Sequence, residues 1–242
     1  MGPKSILSSV TAYVTLQRLV GADVLRRHAL SRAAIRPGEV LVDIGCGPAY
    51  YFDWLPAPLG YHGYDTNQRY IDHATRKYGD RGNFRCAIFD AAEAARIPAP
   101  DVIVMLGLLH HLSDTECSAL LTLCAQVLAP NGRVVSIDTA YLPGQNRFSK
   151  WLSDNDRGDY VRHPDQFTQL AAVAFDKVEG TPLQQSGRML GSYWMMHLSA
   201  PATARPEFSQ SPSAACALPA PPRNRTGGPG APAPARPAFR AR

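Results

Sequence analysis

The sequence predicts an α/β fold in which a mostly parallel, doubly wound sheet of seven strands carries helices on both faces. Short apolar or β-branched runs alternate with helix-like segments from Val40 onwards, which indicates parallel strands joined by helical crossovers. The run VIVML has no polar alternation, as expected of a central strand that is covered on both faces. The predicted strands are Val40–Ile44, Tyr61–Tyr64, Asn83–Ile88, Val102–Leu106 and Arg133–Asp138, followed by two weaker candidates at Lys177–Gly180 and Tyr193–Leu198.

Helices are predicted between these strands from apolar spacing and from signals at their ends. Ser113 stands three residues before Glu116, which is the spacing of a capping box. His163 precedes Pro164 at the first turn of a later helix. The predicted helices are Tyr50–Leu55, Asn67–Tyr78, Ala91–Ala95 and Asp114–Leu128, and a segment before the sheet contains one helix near Tyr13, Gln17 and Arg18 and a second at Ala22–Ile35.

Composition divides the chain of 242 residues into three parts. Residues 1–36 are predicted to form a helical lid, residues 37–200 a single domain, and residues 201–242 a disordered tail. The tail holds ten of the 21 prolines, and such a segment buries too little apolar surface to fold. It also carries the whole net charge of +5, because residues 1–200 contain 19 basic and 19 acidic side chains. A neutral domain argues against nucleic acid as a partner, since that affinity depends on phosphate neutralisation.

Cysteine usage and hydropathy predict the surroundings of the protein. The five cysteines are scattered and form no C-x-x-C pair, so neither a disulfide framework nor a metal site is expected, and the cytoplasm is the predicted location. No run approaches the roughly 18 apolar residues of a membrane span. Stable membrane insertion is therefore not expected.

Small and acidic residues gather where the first three predicted strands end, which is the ligand-binding edge of an open parallel sheet. Gly45 and Gly47 follow Asp43 directly, and glycines at this spacing allow a tight turn and a close backbone approach to a ligand. This pair alone fits an ordinary strand-to-helix turn equally well. Asp65 and Asp90 are predicted to end the second and third strands; each could instead cap a helix, but three acids on successive strands favour a nucleoside pocket.

A dinucleotide-binding fold is the first alternative, and it calls for a third glycine at the G-x-G-x-x-G position. Tyr50 occupies that position, and its ring is too large for close packing of helix on strand. The acid Asp43 is also a poor neighbour for a pyrophosphate. A ligand with a cationic end fits an acidic, glycine-lined pocket better.

The segments VLVDIGCG, GYD, FD, DVIVMLGLLHHL and LAPNGRVVSID stand in the order and spacing of a known family. From Val40 to Asp138 the chain resembles a class I methyltransferase that uses S-adenosylmethionine (SAM), with a Rossmann-like fold, of the small-molecule group that includes ubiquinone- and menaquinone-type enzymes. Ala49 departs from the pattern, because many members have glycine there. The cofactor-binding residues that the resemblance implies are Asp43, Gly45, Cys46 and Gly47 for the methionine part, Asp65 and Thr66 for the ribose, Asp90 and Ala91 for the adenine, and Leu106 and Gly107 near the methyl group.

The expected reaction is transfer of the SAM methyl group to an oxygen, nitrogen or carbon of a small-molecule acceptor. His110 and His111 follow the fourth strand, and either is a candidate base, since an ordinary histidine pKa suits proton removal at neutral pH; a structural role remains the alternative. An NAD-dependent oxidoreductase and a non-catalytic SAM-binding partner subunit are the rival functions. Candidate acceptor-binding residues after the fifth strand are Asp138, Tyr141, Gln145, Trp151, Asp154, Arg157, Tyr160 and Arg162.

Overall fold

The computed structural model describes residues 22–156, 158–184 and 191–202, and within these ranges seven strands form one sheet. The strands are β1 (Val40–Ile44), β2 (Gly60–Asp65), β3 (Asn83–Cys86), β4 (Val102–Leu106), β5 (Arg133–Thr139), β6 (Phe175–Leu183) and β7 (Tyr193–Pro201). The helices are α1 (Ala22–Ala33), α2 (Gln68–Tyr78), α3 (Ala91–Ala94), α4 (Asp114–Val127), α5 (Arg147–Asp154) and α6 (Pro164–Ala172). The predicted mostly parallel, doubly wound sheet is confirmed.

The strand order β3-β2-β1-β4-β5-β7-β6 places the carboxyl ends of β1 and β4 side by side. Strands β1 to β5 are parallel, and β7 is antiparallel to both β5 and β6. The chain moves outward from β1 through β2 and β3, then returns to β4 on the other side of β1. A crevice opens at such a reversal point, and it is where open α/β sheets bind ligands.

Apolar side chains pack on both faces of the sheet. Every residue of β4 is buried, as its uninterrupted apolar run predicts. Cys117, Leu121 and Cys124 of α4 pack into one core cluster. Their spacing of three and four residues puts them on one helix face. The capping box at the start of α4 is present, because Ser113 and Glu116 hydrogen-bond each other's backbone N–H.

Helix α1 belongs to the core of the sheet domain. Its residues Leu25, Ala29 and Ala33 are buried in the cluster on the other face of the sheet. The predicted helix Ala22–Ile35 is thus present, but it packs as part of the domain. The helix predicted around Tyr13, and the tail beyond residue 202, lie outside the described residues.

Three elements differ from the sequence-based expectation. The predicted helix Tyr50–Leu55 is only a 3-10 turn at Phe52–Trp54, because three successive aromatic rings from Tyr50 onwards are all buried and a regular α-helix would turn one of them outward. Strand β3 ends at Cys86, before Ile88, whose side chain is exposed. Helix α5 lies in a segment for which the sequence analysis predicts no helix; its sequence signal is Asn146, whose side chain accepts a hydrogen bond from Ser149 N.

Candidate active site

The turn after β1 brings its backbone directly against the end of β2. Gly45 and Gly47 both have positive φ angles, 78° and 56°, a conformation that favours glycine. The N–H groups of Gly45 and Cys46 donate to Tyr64 O at 2.8 and 3.0 Å, and Gly47 N donates to Asp65 Oδ2 at 2.9 Å. A Cβ atom on Gly47 would have no neighbour within 4 Å, so open space lies beside this turn.

Asp65 ends β2, as predicted, and its carboxylate is oriented by backbone donors. Asp65 Oδ1 accepts a hydrogen bond from Asn67 N at 2.7 Å, while Oδ2 accepts the one from Gly47. Burial raises the pKa of Asp65, and these N–H groups partly oppose the rise. Each carboxylate oxygen has a second lone pair, so this side chain can also accept from two neighbouring hydroxyls. Thr66 follows it with an exposed side chain.

Asp43 is the fourth residue of β1, and its side chain is completely buried. Its Oδ2 atom accepts hydrogen bonds from the hydroxyls of Tyr51 and Tyr61 at 2.6 and 2.7 Å. Its Oδ1 atom is buried without a hydrogen-bond partner. Burial raises the pKa of Asp43 to about 6, against the opposing effects of the two hydroxyls and the charge of Arg26. A buried carboxylate oxygen without a donor fits a cationic ligand group, such as an ammonium.

Sequence reasoning did not identify Tyr51 and Tyr61 as partners of Asp43. The aromatic run after the glycine turn is the one signal that could have drawn attention to Tyr51. Ala49, in that same turn, has a φ of 49° and is fully buried. It therefore adopts the left-handed conformation for which glycine is favoured, at the position where many family members carry glycine.

The expectation that Asp90 ends a strand is wrong. Strand β3 stops at Cys86, and Asp90 instead caps α3 through a 2.9 Å hydrogen bond from Glu93 N to its Oδ1 atom. This is the helix-capping alternative for an aspartate at a strand-to-helix junction. Ala91 is the first residue of α3 and is exposed with Asp90. Contact of this pair with an adenine stays a prediction.

The end of β4 reaches the same crevice from the other side. Leu106 is its last residue and is buried, and Gly107 follows with a φ of 91°. Gly107 N donates to Ile137 O of β5 at 2.8 Å. A Cβ atom on Gly107 would lie 3.7 Å from Cε1 of His110, so the histidine ring stands beside this turn.

His110 is held between two carboxylates. Its Nδ1 atom lies 2.9 Å from Asp138 Oδ1, and its Nε2 atom lies 3.2 Å from Asp156 Oδ1. Burial by itself lowers the pKa of His110, but the hydrogen bonds and charges of Asp138 and Asp156 raise it to about 9. Burial opposes ionisation of Asp156, yet the charged imidazole lowers the pKa of that carboxyl to about 2. At neutral pH this histidine is a cation with both nitrogens engaged.

His111 differs from its neighbour in every respect that matters for proton transfer. Its ring lies 4.3 Å from that of His110, centroid to centroid, but the residue is exposed. Burial of its inner part lowers the pKa of His111, and the charge of His110 lowers it further. Its imidazole is therefore neutral at pH 7 and able to accept a proton.

The residues predicted to bind the acceptor have diverse positions in the segment between β5 and α6. Arg162 is buried and donates to backbone oxygens and to Asp114, so it is a structural residue. Asp154 pairs with Lys150 at 2.8 Å on the surface. Trp151 and Tyr160 are exposed, while Arg157 lies outside the described residues. Tyr141 donates to Asp154, and Gln145 accepts from Leu142 N.

Two kinds of feature, a metal-binding cluster and a membrane-spanning helix, are absent from the described part of the chain. Across residues 22–156, 158–184 and 191–202, no group of three or more His, Cys, Asp or Glu side chains has the arrangement of a metal site. Within the same ranges, no helix is long and apolar enough to cross a bilayer.

Comparison with known proteins finds one family model and several solved structures that are similar to this chain. Residues 42–134 match the family model described as a methyltransferase domain. The solved N-methyltransferase NodS from Bradyrhizobium japonicum WM9 is similar, with 15% identity, a TM-score of 0.56, and coverage of 74% of this chain and 97% of that one. Magnesium protoporphyrin IX methyltransferase from Synechocystis PCC 6803, solved with bound SAM, is 15% identical, with a TM-score of 0.53 and coverage of 79% and 83%.

A third similar structure is a phospholethanolamine N-methyltransferase from Haemonchus contortus, with 16% identity, a TM-score of 0.59, and coverage of 81% of this chain and 58% of that one. No curated protein matches the sequence. At these identities the solved structures establish the fold, and the family model matches fewer than half of the residues of the chain. The ubiquinone-type subgroup stays a prediction.

Proposed function

We propose that the chain is a class I SAM-dependent methyltransferase that transfers the methyl group of SAM to an oxygen, nitrogen or carbon atom of a small-molecule acceptor. One observation carries the assignment of the site. The glycine turn and Asp65 meet through the 2.9 Å hydrogen bond from Gly47 N, beside the point where the strand order reverses. This crevice therefore contains both a backbone turn that a ligand can approach closely and a carboxylate that can accept hydrogen bonds from a ribose.

SAM supplies a methyl group on a positively charged sulfur, which becomes neutral when a nucleophile takes the methyl group. The residues of this chain fit that ligand at its two ends. Asp65 offers carboxylate oxygens to the ribose hydroxyls, with Thr66 beside it. The unpartnered Oδ1 atom of Asp43 fits the ammonium of the methionine part, either directly or through one water.

The remaining cofactor contacts follow from position along the edge. Gly45, Cys46 and Gly47 line the methionine part, since their backbone forms the turn beside Asp65. Leu106 and Gly107 lie at the end of β4, opposite that turn. Asp90 and Ala91, at the start of α3, remain the candidates for the adenine.

The role of general base, if the acceptor needs one, belongs to His111 in this proposal. A base must have a nitrogen free to take a proton and a pKa near or below the working pH. His111 is exposed, and its pKa is lowered. His110 meets neither condition, because both of its nitrogens face carboxylates. Acceptors that are already nucleophilic need only alignment with the methyl group and exclusion of water.

The acceptor is proposed to be a small molecule held by the segment between β5 and α6. Two of the similar structures carry small molecules in their descriptions, magnesium protoporphyrin IX in one and phosphomonomethylethanolamine in the other. The balance of 19 basic and 19 acidic side chains in residues 1–200 disfavours nucleic acid. A helical lid formed by residues 1–36 stays a prediction; within that range, the described helix α1 packs in the core. The scattered cysteines keep the cytoplasm as the proposed location.

Isothermal titration of the full chain with SAM and with S-adenosylhomocysteine (SAH) tests the proposal directly. Binding of both is expected, and failure of both to bind would contradict it. NADH serves as the matched competitor, because binding of NADH alone would favour the oxidoreductase. A screen of metabolite extracts with methyl-labelled SAM then identifies the acceptor; SAM binding without labelling of any metabolite would favour a non-catalytic partner subunit.

A further inference from the structure

We propose that His110 is a positioning residue that bridges Asp138 and Asp156 and thereby fastens the segment between β5 and α6 to the catalytic edge of the sheet. The described residues of this segment, 140–156 and 158–162, are called the acceptor segment below. The inference rests on the proposed function only in what it says the segment is for. The bridge itself is a property of the folded chain and is testable without any substrate.

The bridge joins three separate elements through one ring. His110 lies in the 3-10 turn after β4, Asp138 lies in β5, and Asp156 follows α5. The side chains of His110 and Asp138 are 8% and 1% exposed, and that of Asp156 is 25% exposed. Hydrogen bonds of an ionised donor to ionised acceptors in such a setting are among the strong ones in proteins.

Asp156 is in turn fixed from its own side. Its Oδ1 atom accepts from Gly158 N at 2.8 Å, and its Oδ2 atom accepts from Thr139 Oγ1 at 3.0 Å. Asp138 Oδ1 likewise accepts the backbone N–H of His110 at 3.2 Å. The ring therefore connects Asp156, which other groups orient, to Asp138, which His110 contacts through both its ring and its backbone N–H and whose Oδ2 atom is buried without a hydrogen-bond partner. An oriented partner fixes a geometry as well as neutralising charge.

Backbone contacts run beside the bridge. Tyr160 N donates to His110 O at 3.0 Å. A Cβ atom on Gly158 would lie 2.3 Å from that same carbonyl oxygen, so the acceptor segment approaches the turn as closely as glycine allows. Further along, Arg162 donates to Leu109 O at 3.0 Å and to Leu112 O at 2.6 Å.

The two ends of the acceptor segment also meet. Ala140 and Arg162 form an isolated parallel bridge, and Tyr141 N donates to Arg162 O at 3.0 Å. The two ends of the acceptor segment therefore lie together, and His110 and Arg162 attach the segment to the turn after β4. Its exposed rings, Trp151 and Tyr160, are held relative to the sheet edge through these attachments.

Several charged or titratable groups face the bridge, and they set its pH dependence. The carboxylates of Asp138 and Asp156 favour the imidazolium form, and the ring of His111 beside it disfavours that form. Further out, burial and the charge of Asp156 raise the pKa of Tyr193 on β7, burial and the charge of Asp138 raise that of Cys117 on α4, and Asp159 acts on His111. The two carboxylates in direct contact dominate, because the ring nitrogens touch them.

The first experiment follows the imidazole of His110 by NMR of the full chain with labelled histidine, from pH 5 to pH 10. A titration midpoint at least one pH unit above the ordinary value of about 6.5 is expected. A midpoint near 7 would overturn the proposal and restore His110 as a candidate base. This measurement uses the unaltered protein, so it does not depend on any variant folding.

The second experiment compares Asp156→Asn with Asp154→Asn. The control removes a carboxylate of the same segment that makes only surface contacts with Lys150 and Tyr141. Asp156→Asn is expected to lower the His110 midpoint by about one unit or more, since an adjacent opposite charge is lost. Asp154→Asn is expected to leave it in place.

Hydrogen exchange at pH 7.5 measures how firmly the acceptor segment is attached to the turn after β4. The amides of Gly158 and Tyr160 are expected to exchange about tenfold faster in Asp156→Asn, because local opening becomes easier, and at the original rate in Asp154→Asn. Equal protection in both variants would contradict the positioning role even if the titration shifts. Neither readout uses a methyl acceptor, so failure of SAM to bind would contradict the proposed function without deciding on the bridge.

Discussion

Asp43 is a fully buried carboxylate and Asp156 a partly buried one, and each is held by ring-bearing side chains. The partners of Asp43 are two neutral tyrosine hydroxyls. The partner of Asp156 is the imidazolium of His110, with a backbone N–H and a hydroxyl in support. Burial raises the pKa of Asp43 to about 6, whereas the pKa of Asp156 falls to about 2 despite burial.

The difference shows that two neutral donors leave part of the cost of burying a charge uncompensated, while one charged partner more than offsets it. Asp43 also has an oxygen to which no group of the described residues donates, whereas both oxygens of Asp156 are already engaged within the folded chain.

The largest expected effect is an opposite pH dependence of stability at the two sites. The folded-state pKa of Asp43 is raised from 3.8 to about 6, so its contribution to the free energy of unfolding falls as pH rises from about 4 to 6, by about 3 kcal/mol. Asp156, with a lowered pKa, contributes stability above about pH 4 that is lost as pH falls through about 2. His110 contributes stability that is fully present below about pH 6.5 and is lost as pH rises through about 9.

Urea unfolding of Asp43→Asn and Asp156→Asn at pH 4, 5, 6 and 7 measures this contrast. Relative to the unaltered protein, Asp43→Asn is expected to gain stability as pH rises through this range, and Asp156→Asn is expected to be less stable at pH 7. If the free energy of unfolding of the two variants changed with pH in the same way, the two carboxylates would not differ in pKa as described.

The next effect concerns cofactor affinity on the β1 side. Asp65→Ala is expected to weaken SAH binding by about 30- to 100-fold, because hydrogen bonds to a charged acceptor are worth about 1.5–3 kcal/mol. Isothermal titration at pH 7.5 gives the affinity. Asp53→Ala is the matched control, since Asp53 is an exposed aspartate paired with Arg81. An affinity within twofold for both variants, on the order of the scatter of additive effects, would remove Asp65 from the site.

A smaller effect is expected from the tyrosines that hold Asp43. Tyr51→Phe deletes one donor and raises the pKa of Asp43 further, so that less of the carboxylate is ionised near neutrality. SAH affinity is expected to fall by about fivefold at pH 6.5, the equivalent of one hydrogen bond of about 1 kcal/mol, and to recover by pH 8.5. Tyr78→Phe removes a hydroxyl from the exposed Asp53 instead and should show no pH-dependent loss.

The smallest effect lies outside the crevice. Ser113→Ala removes the cap of α4 and is expected to cost about 1 kcal/mol of stability, read from urea unfolding. SAH affinity and the titration of His110 should both stay unchanged. A change in the SAH affinity or in the titration of His110 would mean that α4 contributes to the site.

Local patterns were sufficient for most of the fold. The apolar run of β4, the turn residues after α4, and the capping pair Ser113 and Glu116 each report on their own few residues. Strand and helix periodicity is a property of neighbouring positions. For the same reason Gly45, Gly47 and Asp65 could be placed at the crevice, because each stands at or next to the end of a recognisable strand.

Local sequence patterns gave wrong predictions for the elements whose conformation depends on contacts with residues far away in the chain. The turn at Phe52–Trp54 is short because three neighbouring rings are all buried by the rest of the domain. Asp90 became a helix cap once β3 stopped early, at the sheet edge. Helix α5 carries its cap at Asn146 in a segment that otherwise looks irregular.

The sequence by itself determined the order of strands and helices, the glycine turn and the acid that follows β2, since these depend on residue types at short spacing. Only the tertiary structure decided the ionisation of the site. His110 meets carboxylates 28 and 46 positions further along the chain, and Asp43 meets hydroxyls 8 and 18 positions away. A pKa depends on burial and on the distance to charges in space, and neither quantity is encoded in separation along the chain.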